Sequence, residues 1–313
     1  VYQIALDPIN APKYLDVPAY RFQRILYPLL ARVLSLGSPQ ILPWALILIN
    51  IFALVGGTRV TELLLAEGGV NRWYALSYGL FLGMQVSIRL DLTEPLAFFF
   101  IQLASLSFGR NHLKRASLFF ILASLTRELT LLFAFAAFLT LFSRKQYKTA
   151  ILWGIVTLLP FAAWQLFLRI WLGTWGIQSG GAASTPFEII PFHGWWGFGE
   201  IAPWQIFVLF SLIILPIALI PASVSIIASI RALFHRQYNY GTWSLLVNAM
   251  LFPFLPASNI LVQLGMVRTV IGLVVAVLSF GAYNHSKRAL NYSLLWIIGL
   301  LFLYKDSFIG NVG

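Results

Sequence analysis

The stretch Arg89-Leu90-Asp91-Leu92-Thr93-Glu94-Pro95 concentrates the chemistry of this chain. It lies between two apolar runs, Trp73–Ile88 and Leu96–Phe108. The whole sequence offers only 10 acidic residues, yet two stand here, three apart and beside an arginine. Ionisable groups at or near membrane depth are costly, so they tend to be paired, water-facing and functional. A carboxylate can take a proton from a hydroxyl, and arginine offers phosphate a two-pronged grip. With Pro95 in the first turn of a helix, Asp91 and Glu94 fall on neighbouring faces of that end. A plain helix start also accounts for the acids, since negative charge favours an N-terminal end and Thr93 or Asp91 can cap it. That reading leaves Arg89 without a role.

The elements that must position these groups follow from composition. Of 313 residues 59% are hydrophobic and only 10% charged, and mean hydropathy is +0.83; a soluble domain carries about 25% charged residues. Apolar runs recur along the whole length and do not alternate. This predicts an all-α, polytopic transmembrane helix bundle of about ten spans and excludes a β-barrel. The formal net charge of +11 would point to nucleic acid in a soluble protein. Here the basic loops of a membrane protein account for it, so membrane lipids rather than nucleic acid are the expected partners. Cysteine is absent and the four histidines are scattered, which predicts no metal site. No cofactor is expected; paired carboxylates suit a hard divalent cation, but the chemistry does not require one.

Taken in order, residues 1–38 read as an extracytoplasmic segment ending in a short juxtamembrane helix. Residues 39–172 form an N-terminal transmembrane module, 173–203 an extracytoplasmic Gly/Trp-rich loop without Lys or Arg, and 204–313 a C-terminal transmembrane module. With residues 1–38 outside, most of the basic residues collect in short inner loops and most acids lie outside, as the positive-inside rule asks. The arrangement requires the short apolar helices on either side of Thr126-Arg127-Glu128 to cross and return. It implies a multi-pass protein of the plasma (inner) membrane with its active face extracytoplasmic. The chain opens on Val1 with no signal peptide visible, and a further N-terminal span is expected before it.

This topology gathers the unusual residues at one face. Asp7, Asp16, Asp91 and Glu94 are the candidate proton acceptors, although Asp7 and Asp16 flank prolines and also suit simple turns. Arg21, Arg24, Arg89, Arg127 and Arg268 are candidate phosphate ligands. Arg21 and Arg24 stand three apart, so one helix face could grip a phosphate; snorkelling to lipid head groups is the alternative. Arg127 and Glu128 also suit a local ion pair closing a turn. Arg268 opens a late span with no acid near it in sequence, and an arginine so placed asks for an anionic partner such as a lipid phosphate. Tyr20, Glu128, His193 and Trp195 are candidate sugar or acceptor contacts, with interfacial anchoring as the plainer role for His193 and its tryptophans.

At this point a resemblance enters. Tyr20-Arg21-Phe22-Gln23-Arg24-Ile25-Leu26-Tyr27-Pro28-Leu29-Leu30-Ala31-Arg32, the Asp91-Leu92-Thr93-Glu94-Pro95 turn, Leu125-Thr126-Arg127-Glu128, Pro160-Phe161-Ala162-Ala163-Trp164-Gln165, the glycine-rich loop before Pro186-Phe187 and Arg268 occur in that order. Together they resemble bacterial polytopic glycosyltransferases of the GT-C superfamily, relatives of mannosyltransferases, over nearly the whole chain. The resemblance implies inverting transfer of a sugar from a polyprenyl-phosphate donor to an extracytoplasmic acceptor, a cell-surface glycan or glycolipid. It implies a carboxylate in the first outer loop as base, within an Asp-Gly pair expected just upstream of Tyr2. The rival class is non-catalytic: an integral subunit of a larger membrane complex, or a transporter of a lipid-linked sugar. A transporter should show broken spans and repeats about the midplane.

Overall fold

The computed structural model describes residues 1–181, 185–261 and 263–304. It is all-helical, with no strand among the described residues. Among the described residues four helices are long and apolar enough to cross a membrane: Leu42–Glu67, Tyr147–Leu172, Trp204–Phe234 and Gly265–Asn284. The helices that carry the argument are labelled in chain order. They are α1 (Leu26–Ser35), α2 (Leu42–Glu67), α3 (Leu82–Arg89), α4 (Glu94–Gly109), α5 (Leu113–Thr126), α6 (Leu131–Ser143) and α7 (Tyr147–Leu172). After a long loop come α8 (His193–Ile201), α9 (Trp204–Phe234), α10 (Tyr240–Ala249), α11 (Gln263–Asn284) and α12 (Lys287–Ser293).

Local sequence explains where these helices stop and start. Pro43 and Pro95 stand in the first turns of α2 and α4, where a missing N–H costs nothing. The short α1 ends on Leu36 and Gly37, both at positive φ. Between α5 and α6 the backbone of Arg127 is extended, which breaks the helix and turns the chain back through one 3₁₀ turn, Glu128–Thr130. The largest buried cluster is centred on α11, whose stretch from Val270 to Leu278 is almost wholly buried, against α2, α3, α4 and α10. Gly83 on α3 lets that helix meet α11 closely; a side chain there would lie 2.6 Å from the carbonyl oxygen of Val267.

Several of the predicted apolar runs take a different form. Trp73–Ile88 is not one helix: it divides into a 3₁₀ turn, a four-residue helix and α3, with extended backbone at Phe81. The last run becomes α12 followed by a 3₁₀ stretch, Leu294–Tyr304, and Thr242–Leu255 becomes the ten-residue α10 and a 3₁₀ turn. The segment 1–23, ahead of the expected juxtamembrane helix, contains three short helical turns of its own. It is tied to α7 by Trp164, which donates to the carbonyl of Phe22 at 3.0 Å, and by Gln165, which donates to Gln23.

The alternation of α4, α5, α6 and α7 places the Arg110 and Lys145 turns at one end of the bundle and Glu94, Arg127 and Leu172 at the other. Single cysteines replacing the exposed Lys114 and Ile189, in a chain with no native cysteine, should therefore react with an impermeant thiol reagent from opposite sides of sealed vesicles. Same-side labelling would contradict this alternation.

Candidate functional site

Glu94 begins α4 at the favourable, positive end of the helix, and its side chain is fully buried. Its Oε1 accepts from Arg127 at 2.5 Å and from Arg268 Nε. The second oxygen, Oε2, is buried with no hydrogen bond among the described residues, and so is Nε of Arg127. Arg268 reaches the site from the second turn of α11; its side chain keeps a partial opening to solvent. It is therefore not the partnerless arginine that the sequence alone implies: its acid lies 174 positions away.

A second buried pair stands alongside. Arg24 donates twice to Glu128, at 2.9 and 2.5 Å, and once to the hydroxyl of Tyr20 at 2.9 Å. Its guanidinium also lies over the Tyr20 ring, 4.7 Å from the centroid. The expected alternative of a local Arg127–Glu128 pair is thus corrected, since each residue takes a partner from elsewhere in the chain. Arg127 and Glu94 lie within Coulombic reach of Arg24 as well. The result is one cluster of three arginines against two glutamates, held by four segments of chain. One positive charge is left unbalanced, and a buried unbalanced charge calls for an anion.

The other candidates divide by what holds them. Arg21 does not share a phosphate-gripping face with Arg24; it donates to both oxygens of Asp16, at 2.9 and 2.8 Å, on the surface. Those bonds pull the Asp16 carboxyl down to about 2. The Asp7 carboxyl is also held below its ordinary value, first by the Asn10 side chain and then by backbone N–H groups of the same turn. Neither is suited to taking a proton. Glu94, clamped by two arginines, is no better. Arg89 is exposed at the end of α3 and makes no ion pair among the described residues.

Asp91 differs from all of these. It follows the last turn of α3 at φ 49°, the left-handed position that helix ends usually give to glycine, while the N–H of Leu92 closes the motif on the carbonyl of Ser87 at 2.8 Å. Asp91 is thus outside α4, and neither it nor Thr93 caps that helix. Its Oδ1 is buried without a hydrogen bond among the described residues, and burial pushes its carboxyl above its ordinary value. Asn50 holds the turn from beneath, donating to Leu92 O at 3.0 Å and to the buried Tyr27 hydroxyl at 2.8 Å. Sequence reasoning passed over Asn50 and gave Tyr27 no role of its own; the signal was a lone amide inside the apolar run Ile41–Val55.

His193 and Trp195 lie on α8. His193 Nδ1 pairs with Glu188 at 2.8 Å, a partner the sequence reading did not assign. The Trp195 indole donates to Ser211 at 3.0 Å, which fixes it in the packing of α9. Among the described residues no three or more His, Asp or Glu side chains converge as metal ligands would.

Beside the cluster lies a groove of about 700 Å³ between α6 and α7, walled by apolar side chains including Phe135, Phe138, Ile151 and Leu158. Leu132 lines this groove and also a water-sized void of about 10 Å³ bounded by Arg127, Arg268 and Asn248. Comparison of the chain with family models, with curated proteins and with solved structures gives no match.

Proposed function

We propose that this protein is an integral membrane glycosyltransferase of GT-C type, which moves a sugar from a polyprenyl-phosphate donor to an extracytoplasmic acceptor with inversion at the anomeric carbon. The observation that carries the reading is the position of Leu132, where an apolar groove open to lipid meets a buried arginine cluster with one positive charge to spare. A prenyl chain suits the groove and a phosphate monoester suits the cluster. Arg268 is the arginine best placed to take the phosphate, because it alone of the Glu94 partners is partly open to solvent. Charge stabilisation of the departing phosphate by guanidinium groups lowers the barrier to breaking the sugar–phosphate bond. Asp91 serves as base, since its carboxyl is neither clamped by arginine nor spent on a cap. The ten-span count and the extracytoplasmic orientation belong to this proposal; the short helices α5 and α6 cross and return within it.

Arg268→Ala in lipid nanodiscs should lower affinity for a C20 polyprenyl monophosphate about tenfold or more, the worth of a charge-assisted hydrogen bond. Arg268→Lys should restore only part of it, because an ammonium lacks the planar fork. Unchanged affinity in the alanine variant would remove Arg268 from the phosphate site.

A second reading, an integral subunit of a membrane complex, is favoured by one feature. A separate apolar groove of about 650 Å³, lined by Leu34, Trp44, Leu48, Phe52 and Phe99, lies between α1, α2 and α4. Purification in mild detergent as a stoichiometric complex, without sugar transfer, would favour it. The division of Trp73–Ile88 is what a transporter of a lipid-linked sugar would show, but no internal repeat accompanies it.

A further inference from the structure

The loop before α9 carries a carboxylate–imidazole pair that the phosphate cluster does not use. Glu188 holds His193 through Nδ1 at 2.8 Å, which leaves Nε2 as the nitrogen that faces outward. Gly197, one turn along α8, keeps it uncovered: a side chain at that position would lie 3.3 Å from Nε2. The ring stands edge-on to Trp196, with centroids 4.6 Å apart, and the histidine side chain is 39% exposed.

The loop is held in place. Glu188 N–H donates to Phe254 O at 3.1 Å, Phe192 N–H to Pro253 O at 2.6 Å, and Thr185 bonds Ser258 through backbone and side chain. The segment Phe252–Leu261 so engaged leads directly into α11, which presents Arg268. The same loop turns large apolar side chains outward: Ile189 is 92% exposed, Ile201 79% and Trp204 71%. No Lys or Arg occurs between Arg169 and Arg231. An apolar, tryptophan-bearing rim of this kind belongs at the membrane interface, the level of lipid phosphates.

The geometry points to His193 as the proton donor to the departing lipid phosphate, with Glu188 as its positioning residue; this rests on the transfer reaction proposed above. The bond between the sugar's anomeric carbon and the phosphate oxygen breaks, and its electron pair stays on that oxygen. The Nε2 proton of His193 passes to the phosphate. The acceptor hydroxyl forms the new bond to the anomeric carbon and gives its proton to Asp91, and both groups are reset through water. Glu188 keeps the imidazole oriented and Nδ1 protonated, the service a carboxylate gives to a catalytic histidine. The elements packed on α8, namely Phe252–Phe254, Ala257–Leu261 and α9 from Trp204 to Ile214, carry no ionisable side chain. Glu188 therefore sets the charge environment, with Glu200 the acid within α8 itself.

The test is equilibrium binding of a C20 polyprenyl monophosphate to the whole protein in phosphatidylcholine nanodiscs between pH 5 and 8, where imidazoles change charge. Inorganic phosphate, added as competitor, separates a lipid-linked ligand from a free anion. Wild-type binding should contain a component that weakens about tenfold as pH rises, matching loss of one charge-assisted hydrogen bond. His193→Gln should lack that component, and Glu188→Gln should lose at least half of it while leaving the histidine in place. Ionisation of the ligand itself is common to all three proteins and cancels in the comparison. Coincident profiles for wild type and both variants would overturn the role of His193 and leave the phosphate cluster standing. Absence of wild-type binding at every pH would overturn the donor reading, and this inference with it. Competition by inorganic phosphate as effective as by the prenyl ligand would assign the site to a free anion and reject the lipid leaving group.

Discussion

Glu94→Gln should lower the midpoint of thermal unfolding on the order of 10 °C. Neutralising this side chain leaves Arg127 and Arg268 without their shared carboxylate, and removing one partner of a buried pair costs about 3–5 kcal/mol. Arg268 can swing towards solvent, but Arg127 is only 5% exposed and has no such escape. The double variant Glu94→Gln, Arg127→Met should recover more than half of the loss, because an apolar side chain in that place needs no counter-charge. Thermal scans of the purified proteins in one detergent would decide. A midpoint for Glu94→Gln within about 2 °C of wild type would mean that the cluster is solvated enough to need no pairing. The expected result also separates Glu94 from the proton chemistry, since its variant fails in folding before it fails in transfer.

Asp91→Asn should behave in the opposite way, abolishing sugar transfer while leaving the fold at least as stable. Loss of a general base typically costs 10²–10⁴-fold in rate. Donor affinity should hold, because the base acts in the transition state and adds little to ground-state binding. Asparagine tolerates the left-handed backbone at position 91 better than most residues, so misfolding is no confounder. The pH dependence follows from the raised carboxyl. Transfer needs the ionised form, so the rate should rise with pH through a value above the ordinary ~3.9 of aspartate. Stability runs the other way. The folded chain holds this proton at higher pH than the unfolded chain, so the stabilisation present in acid is lost as pH rises through the folded value. The Asn variant cannot ionise and should keep it. Full activity in Asp91→Asn, measured with a labelled polyprenyl-phosphate sugar, would remove Asp91 from the chemistry.

How much of this was legible in the sequence depends on how locally each feature is determined. Pro95 and Glu94 announce the start of α4 on their own, and the polar trio Thr126-Arg127-Glu128 announces the break between α5 and α6. Those signals need no tertiary context. The pairing of the same residues was illegible, because Glu94 finds Arg268 and Glu128 finds Arg24 across 174 and 104 positions. An arginine with no acid nearby in sequence reads as free, and here it was not. The run Trp73–Ile88 misleads for a different reason. Its hydropathy is continuous, but Gly79 sits hard against Thr58 of α2 and the chain turns at Phe81; hydropathy carries no record of a close approach. The Glu188–His193 pair lies within five residues and was readable in principle, but the surrounding tryptophans made an interfacial anchor the simpler account.

The brevity of α5 and α6 has a consequence for the surrounding lipid. At 14 and 13 residues they rise about 21 and 20 Å, whereas the hydrocarbon core of a bilayer is about 30 Å thick. A membrane meets a short hydrophobic wall by pinching in around it. If α5 and α6 both cross as in the proposed topology, the pinch would fall on the face where α6 borders the apolar groove, and the phosphate plane would dip there towards Arg127 and Arg268. On that topology a lipid anion would reach the arginines by lateral diffusion along a depressed surface, without lifting its chain out of the bilayer.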